Sequence, residues 1–400
     1  MSLTKKSALI IVTIMFTFVF GTGYVFAEEG VTDSEIKIGG ILDLSGPIAF
    51  MGKSVSDGSK LYFKYINDQG GVHGRKINYL VEDDGYQAPR AIQAVKKLIT
   101  RDKVFCIFSV LGSAQSNAMY PILEGKGIPL ILPATQNQDM GVPPRKYLFL
   151  GDPTYTLQGK VALEYIVEDM GIKNPKIACI YQDDTPGHDW RNGVRIGAQH
   201  FGLDVLELSY KRGTVDFSSQ IVKSKNAGIT HMLVWSLIRE PGIMMKEAQR
   251  QQFKPTYIFA TPSISKKVLE LSGDALDYNG EIYGTSIWVD ALREETPNLK
   301  LLKETIDKYG MGSVGDAFFV YGFQSAITLV EGLERAGKDL TREGLIKALE
   351  TLKDFDNGIL SPITWGPNLR AGGSSVKMFK VQGGEWHSIM EGWRYTKIKD

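Results

Sequence analysis

This 400-residue chain is poor in several things that would give it a chemistry. It has two cysteines, Cys106 and Cys179, each inside an apolar run. Each reads as a small buried hydrophobe with a free thiol, and no metal site can be assembled from them. The histidines, His73, His188, His200, His231 and His387, are scattered, with no H-E-x-x-H pair and no G-x-S-x-G elbow. No Lys/Arg-rich run could track phosphates, and the formal net charge is +1; nucleic acid is not an expected partner. After the first 27 residues no apolar stretch approaches the ~20 residues that span a bilayer. One literal G-x-G-x-x-G occurs, Gly310-Met-Gly312-Ser-Val-Gly315, but it follows a helical pattern (Leu302, Ile306, Tyr309) instead of a strand, so the dinucleotide reading lacks its context. The acids Glu82-Asp83-Asp84 sit at a strand end and read as turn and capping groups. Together these absences exclude the usual enzyme machinery, and no catalytic residue, metal or cofactor is expected.

What is present is order. Lys5-Lys6, an apolar Ala8–Phe20 and a small-residue end at Val25-Phe26-Ala27 have the three parts of an export signal, with cleavage expected after about Ala27. A buried strand through Ile36–Asp43 then empties into Ser45-Gly46-Pro47. An amphipathic helix follows with Val55, Leu61, Tyr62, Tyr65 and Ile66 on one face, stopped by Gly70-Gly71 before the strand Lys76–Val81. The alternation continues through a helix at Ala91–Ile99, a strand at 104–110, a helix from Ser113 to Glu124 and the strand Ile128–Leu132. The Pro-containing stretch Met140–Pro153 reads as a connection. A second alternating series runs from a helix at 155–170 to a strand at 256–260, with Gly280–Ile287 as a return crossing. Helices near 297–309, 316–336 and 341–352 precede a β-rich end. Such alternation predicts α/β architecture, two doubly wound parallel-sheet lobes with helices on both faces.

Several stretches in this order carry a resemblance: Leu44-Ser45-Gly46-Pro47, Ile66-Asn67 with Gly70-Gly71 and Gly74-Arg-Lys76, Glu82-Asp83-Asp84, Gly112-Ser113, Ile131-Leu-Pro133-Ala134-Thr135, Asp216-Phe217-Ser218, and Gly358 with Ile363-Thr364-Trp365. From about Ile36 to Trp386 the chain resembles the periplasmic solute-binding proteins of the leucine/isoleucine/valine class, which feed ABC transporters. The resemblance implies the type I periplasmic-binding-protein fold, two lobes joined by a three-strand hinge. Lobe one is expected at 31–151 plus 285–360 and lobe two at 152–284 plus 361–400. Ligand would sit between them, at the carboxyl ends of the strands.

Within that frame Gly112-Ser113-Ala114-Gln115 is the strongest candidate. Ser113 stands where a buried strand gives way to a helix, able to cap it while the first-turn N–H groups face the cleft. The resemblance gives Ser113 the ligand carboxylate, shared with Ala134, Thr135 and Gln136. The ammonium half of an amino-acid site departs from the family. Pro262 falls near the expected acid, Ile238 and Pro186 near expected tyrosines, and Met51 replaces an aromatic. Asp184, after a lobe-two strand, is the candidate substitute partner, or a solvated turn acid. Arg239 is a candidate grip on a second acidic group, or a surface partner of Glu240. Tyr155, Trp235 and Phe318 are candidate ring walls, or core. The reading is a periplasmic binding protein of an ABC importer, monomeric, docking to an inner-membrane permease and holding a small carboxylate: an amino acid or, in preference, an aromatic or aliphatic organic acid. The rival is the same clamp signalling to a membrane receptor.

Overall fold

The computed structural model describes residues 28–399; the expected export signal, residues 1–27, lies outside them. Strands β1 (Glu35–Leu42), β2 (Lys76–Asp83), β3 (Cys106–Val110), β4 (Leu130–Ile131) and β5 (Leu148–Phe149) form a parallel sheet in the order β2-β1-β3-β4-β5. Strands β6 (Ile177–Gln182), β7 (Val205–Tyr210), β8 (His231–Trp235), β9 (Thr256–Phe259) and β10 (Ile282–Ser286) repeat that order as β7-β6-β8-β9-β10. Antiparallel β11 (Ser375–Gln382) and β12 (Glu385–Ser388) extend the second sheet beside β10. Every residue of β3, β6 and β8 is buried, because helices cover both faces and the strands need not alternate. Cys106 lies in β3 and Cys179 in β6, one in each sheet, both buried and free.

Glycine sets the helix spacing in both lobes. Helix Ala49–Asp68 crosses helix Ala317–Ala336 where Gly58 and Gly322 meet the opposing backbone; a Cβ on either would lie 2.0 Å from Phe319 O or 2.1 Å from Val55 O. In lobe two Gly159 and Gly193 play the same part between Tyr155–Glu164 and Thr185–Phe201. Close packing leaves Met51 and Phe318 facing the gap between lobes on one side, and Tyr155 on the other.

Three expectations need correction. Met140–Pro153 is more than a connection: it contains β5, and the chain crosses between lobes just after it. Gly280–Ile287 supplies β10, an internal strand of the second sheet, and the return crossing follows at Ile287–Trp288, where Trp288 bridges Leu360. Residues 361–373, expected with lobe two, pack on lobe one: Trp365 lies edge-on to Phe149 at 5.2 Å and donates its indole N–H to Leu150 O at 2.9 Å. Two-residue strands such as β5 have no period at all.

Candidate ligand-binding site

Strand order reverses between β1 and β3 in one lobe and between β6 and β8 in the other, and both switch points face the interlobe gap, where open α/β sheets bind ligands. There the two lobes enclose a cavity of about 50 Å³.

Lobe one contributes the polar wall. Gly112 is the N-cap of helix Ser113–Glu124, at φ 108°, ψ 141°, a conformation that suits glycine. A Cβ there would also meet Gln115 Oε1 at 2.3 Å. Ser113 is thus the first helical residue, and no side chain caps the helix. Its Oγ instead shares a hydrogen bond of 2.6 Å with Thr135 Oγ1. The N–H groups of Ser113, Ala114 and Gln115 have no intrahelical partner, so this helix end is open toward an anion. Behind the wall Asp152 accepts hydrogen bonds from Gln136 Nε2 at 3.1 Å and Tyr321 OH at 2.8 Å, and both donors line the cavity. Burial, opposed in part by these bonds, pushes the Asp152 carboxyl up to about 6.

Lobe two contributes Trp235, Pro186, Pro262, Leu237 and Thr261. Trp235 stands edge-on to Tyr155 at 5.6 Å, and its buried indole N–H has no partner among the described residues. Across all the lining side chains there is no Asp, Glu, Lys, Arg or His. Among the described residues no group of three or more His, Cys, Asp or Glu could hold a metal.

Of the residues singled out from sequence, the structure brings Met51, Ser113, Ala134, Thr135, Gln136, Tyr155, Trp235 and Phe318 together around the cavity. Four stand elsewhere. Ala114 is exposed, and Gln115 is buried in the first turn of its helix without lining the cavity. Asp184 caps helix Thr185–Phe201 by accepting from Gly187 N at 3.2 Å, and it also holds Gln182 and Arg212. Arg239 is exposed and lines an outer groove with Ile238, Lys266 and Lys267. Tyr86, Tyr321 and Trp288 were not anticipated. Tyr86 follows the carboxyl end of β2, a position the strand-end rule indicates; the other two carry no local sequence signal.

Several contacts cross between lobes, and Asp189 and Arg212 make two of them. Asp189 Oδ2 accepts from Gln138 N at 2.7 Å and from Asn137 Nδ2, and burial pushes this carboxyl up to about 6. The Arg212 guanidinium lies 4.7 Å from the centre of the Tyr86 ring and 3.1 Å from Asp184.

A clamp of two like-wound lobes, with a cavity at paired switch points, defines a class of proteins that enclose a small molecule between domains. The sequence profile of the family described as Periplasmic binding protein matches residues 35–385, and the chain belongs to that family. It is a binding protein, not an enzyme. It is 24% identical over 335 residues to "Leu/Ile/Val-binding protein homolog 1" of Brucella abortus (strain 2308), covering 83% of this chain and 86% of that protein. Similar solved structures include a fatty acid ABC transporter substrate-binding protein from Thermomonospora curvata, at TM-score 0.80, 24% identity and 93% and 95% coverage of the two chains. A branched chain amino acid ABC transporter protein from Thermus thermophilus with bound valine gives TM-score 0.82, 21% identity and 92% and 98% coverage.

Proposed function

We propose that this chain is the solute-binding component of an ABC importer and captures a small carboxylate that has no α-ammonium group, an aromatic or branched aliphatic acid. The observation that carries this reading is the unequal wall of the cavity. One side offers hydroxyls and an open helix N-terminus; nowhere does the lining offer a carboxylate. An anion set at that helix end gains ~0.3–1 kcal/mol from the dipole and up to ~2 when partly buried. Each charge-assisted hydrogen bond adds about 1.5–3 kcal/mol. An ammonium ion in the same cavity would be desolvated without an ionic partner in the lining, which is strongly unfavourable. Two similar structures are described as serving ABC transporters, one for fatty acids and one with bound valine. Both ligands carry a carboxylate, and only valine carries an ammonium.

In this reading residues 1–27 direct export, the lobes close on the acid about the hinge, and the closed clamp docks as a monomer on an inner-membrane permease. A thermal-shift panel tests it, using protein stripped of ligand by unfolding and refolding. Benzoate-type, cinnamate-type and branched aliphatic acids should stabilise; ligand at ~100 times its dissociation constant adds ~2.7 kcal/mol. Stabilisation by leucine, isoleucine or valine alone would overturn the reading.

A further inference from the structure

The cavity between the switch points is small for the ligand just proposed. At about 50 Å³ it has a third of the room of the ~150 Å³ engineered cavity in which benzene binds, and a carboxylate must fit besides. A second interlobe space of about 390 Å³ lies next to it. Its walls are Leu269, Phe379 and Trp386 from lobe two, Val289 and Val320 from lobe one. The acids at its rim are engaged, since Asp290 and Glu385 both pair with Arg293. Lys266 stands exposed at the edge.

Among the described residues one side chain, Trp288, lines both spaces. Its backbone is held at the hinge crossing by the bridge to Leu360 and by Ser286 Oγ, which accepts from Trp288 N at 3.2 Å. Its ring is buried and held by apolar packing. It meets Phe318 edge-on at 6.1 Å, and the indole N–H has no partner among the described residues. Displacing that ring would break none of the hydrogen bonds at this residue, which are made by its backbone, and would remove the one side chain shared by both spaces.

We propose that the groove beyond Trp288 is a tail subsite: the carboxylate is held at Ser113 and Thr135, and an apolar tail displaces the Trp288 indole to lie against Phe379 and Trp386. This rests on the carboxylate reading above. The occupant follows from continuity with the cavity and from the apolar walls; the alternative outlet past Met51 leads to a groove edged by Arg239, Lys266, Lys267 and Glu270, where a hydrocarbon gains less.

Calorimetry with straight-chain carboxylic acids of increasing length tests it on the wild-type protein. Once the small cavity is full, affinity should keep rising by about three- to fourfold per methylene, the factor expected for burying each CH₂. Trp288→Ala removes the partition and should raise the ratio of long-acid to short-acid affinity by about tenfold, the gain of roughly two buried methylenes. Leu292→Glu, at an exposed groove position, puts a charge beside the tail and should lower the same ratio by about tenfold without threatening the fold. Affinity that stops rising at the shortest acids, with a ratio unmoved by Leu292→Glu, overturns the tail subsite and leaves the carboxylate reading standing. Failure of straight-chain acids alone, with an aromatic or branched acid binding, overturns the tail subsite only; failure of straight-chain, aromatic and branched acids alike to bind the wild type overturns both.

Discussion

The two lobes are wound alike, yet two of the helices that start beside their switch points differ toward the cleft. In lobe one, helix Ser113–Glu124 begins after Gly112 with no side-chain cap, and its first N–H groups remain available. In lobe two, helix Thr185–Phe201 is closed by its own chain: Asp184 accepts from Gly187 N, and Pro186 in the first turn has no N–H to offer. A helix N-terminus attracts anions only while its donors are free. The same architecture thus yields an anion-receiving wall on one side and an apolar wall on the other. The difference teaches that strand order places a site, while the residues of the first helical turn decide what it can hold.

The largest effect should come from dismantling the open end. Ser113→Ala combined with Thr135→Val removes both hydroxyls of the polar wall, and carboxylate affinity should fall by about 3–6 kcal/mol, two charge-assisted hydrogen bonds' worth. Calorimetry reads the loss. A drop below about 1 kcal/mol, less than a single such bond contributes, would mean that ligand is held elsewhere.

Next comes the carboxylate hidden behind that wall. The Asp152 carboxyl is raised by burial to about 6, above the ordinary ~3.9, so the folded protein holds this proton more tightly than the unfolded chain. Its stabilising contribution is therefore complete below pH ~4 and is lost as pH rises through about 6. Asp189, raised to about 6, and Asp84, likewise raised to about 6, act in the same direction. Ligand-free protein should be more stable to urea at pH 5 than at pH 7.5. Asp152→Asn should flatten that slope by at most about 3 kcal/mol, since each tenfold gain in proton affinity on folding is worth about 1.4 kcal/mol. An unchanged slope would show that this group titrates normally.

Much of this was legible beforehand, for physical reasons that differ by element. Strands such as β3, β6 and β8 are short, largely apolar runs, and each is followed by a turn and a helix, so their alternation was visible. Ser113 was found because it lies just beyond a strand end, where the fold places ligands, whereas Thr135 and Gln136 came from the family resemblance. Tyr321 was not found, since it sits in the second turn of helix Ala317–Ala336, inside a nearly continuous apolar run that reads as core. Asp184 followed the right strand but turned inward to cap its helix, an alternative that every Asp at a strand–helix junction has. Trp288 depends on where the chain crosses between lobes, a long-range property that local pattern does not encode.

The contrast between helix ends is sharpened by opening the closed one. Asp184→Ala removes the lobe-two cap and should cost about 0.5–2 kcal/mol of stability, the usual range for a lost cap. Thermal unfolding measures it. If amino acids gained affinity in this variant, Asp184 would have been shielding the second wall from them; with the wall still lacking a carboxylate, no gain is expected.

The smallest effect concerns how the two walls meet. Arg212, in lobe two, lies over the Tyr86 ring of lobe one, and its other contact, to Asp184, stays within lobe two. The Tyr86 contact exists only when the lobes are together, so it favours the closed arrangement without stabilising either lobe alone. Its side chain is 44% exposed, which holds the ion pair with Asp184 to a small contribution. The cation–π contact at such a site is worth about 0.5–1 kcal/mol. Arg212→Ala should therefore weaken ligand binding two- to fivefold, by about 0.5–1 kcal/mol, through a faster off-rate, while unfolding of the ligand-free protein is little changed. Stopped-flow dissociation separates the two: a slower on-rate with an unchanged off-rate would place Arg212 in ligand entry, and equal losses of stability and affinity would place it in the fold of lobe two.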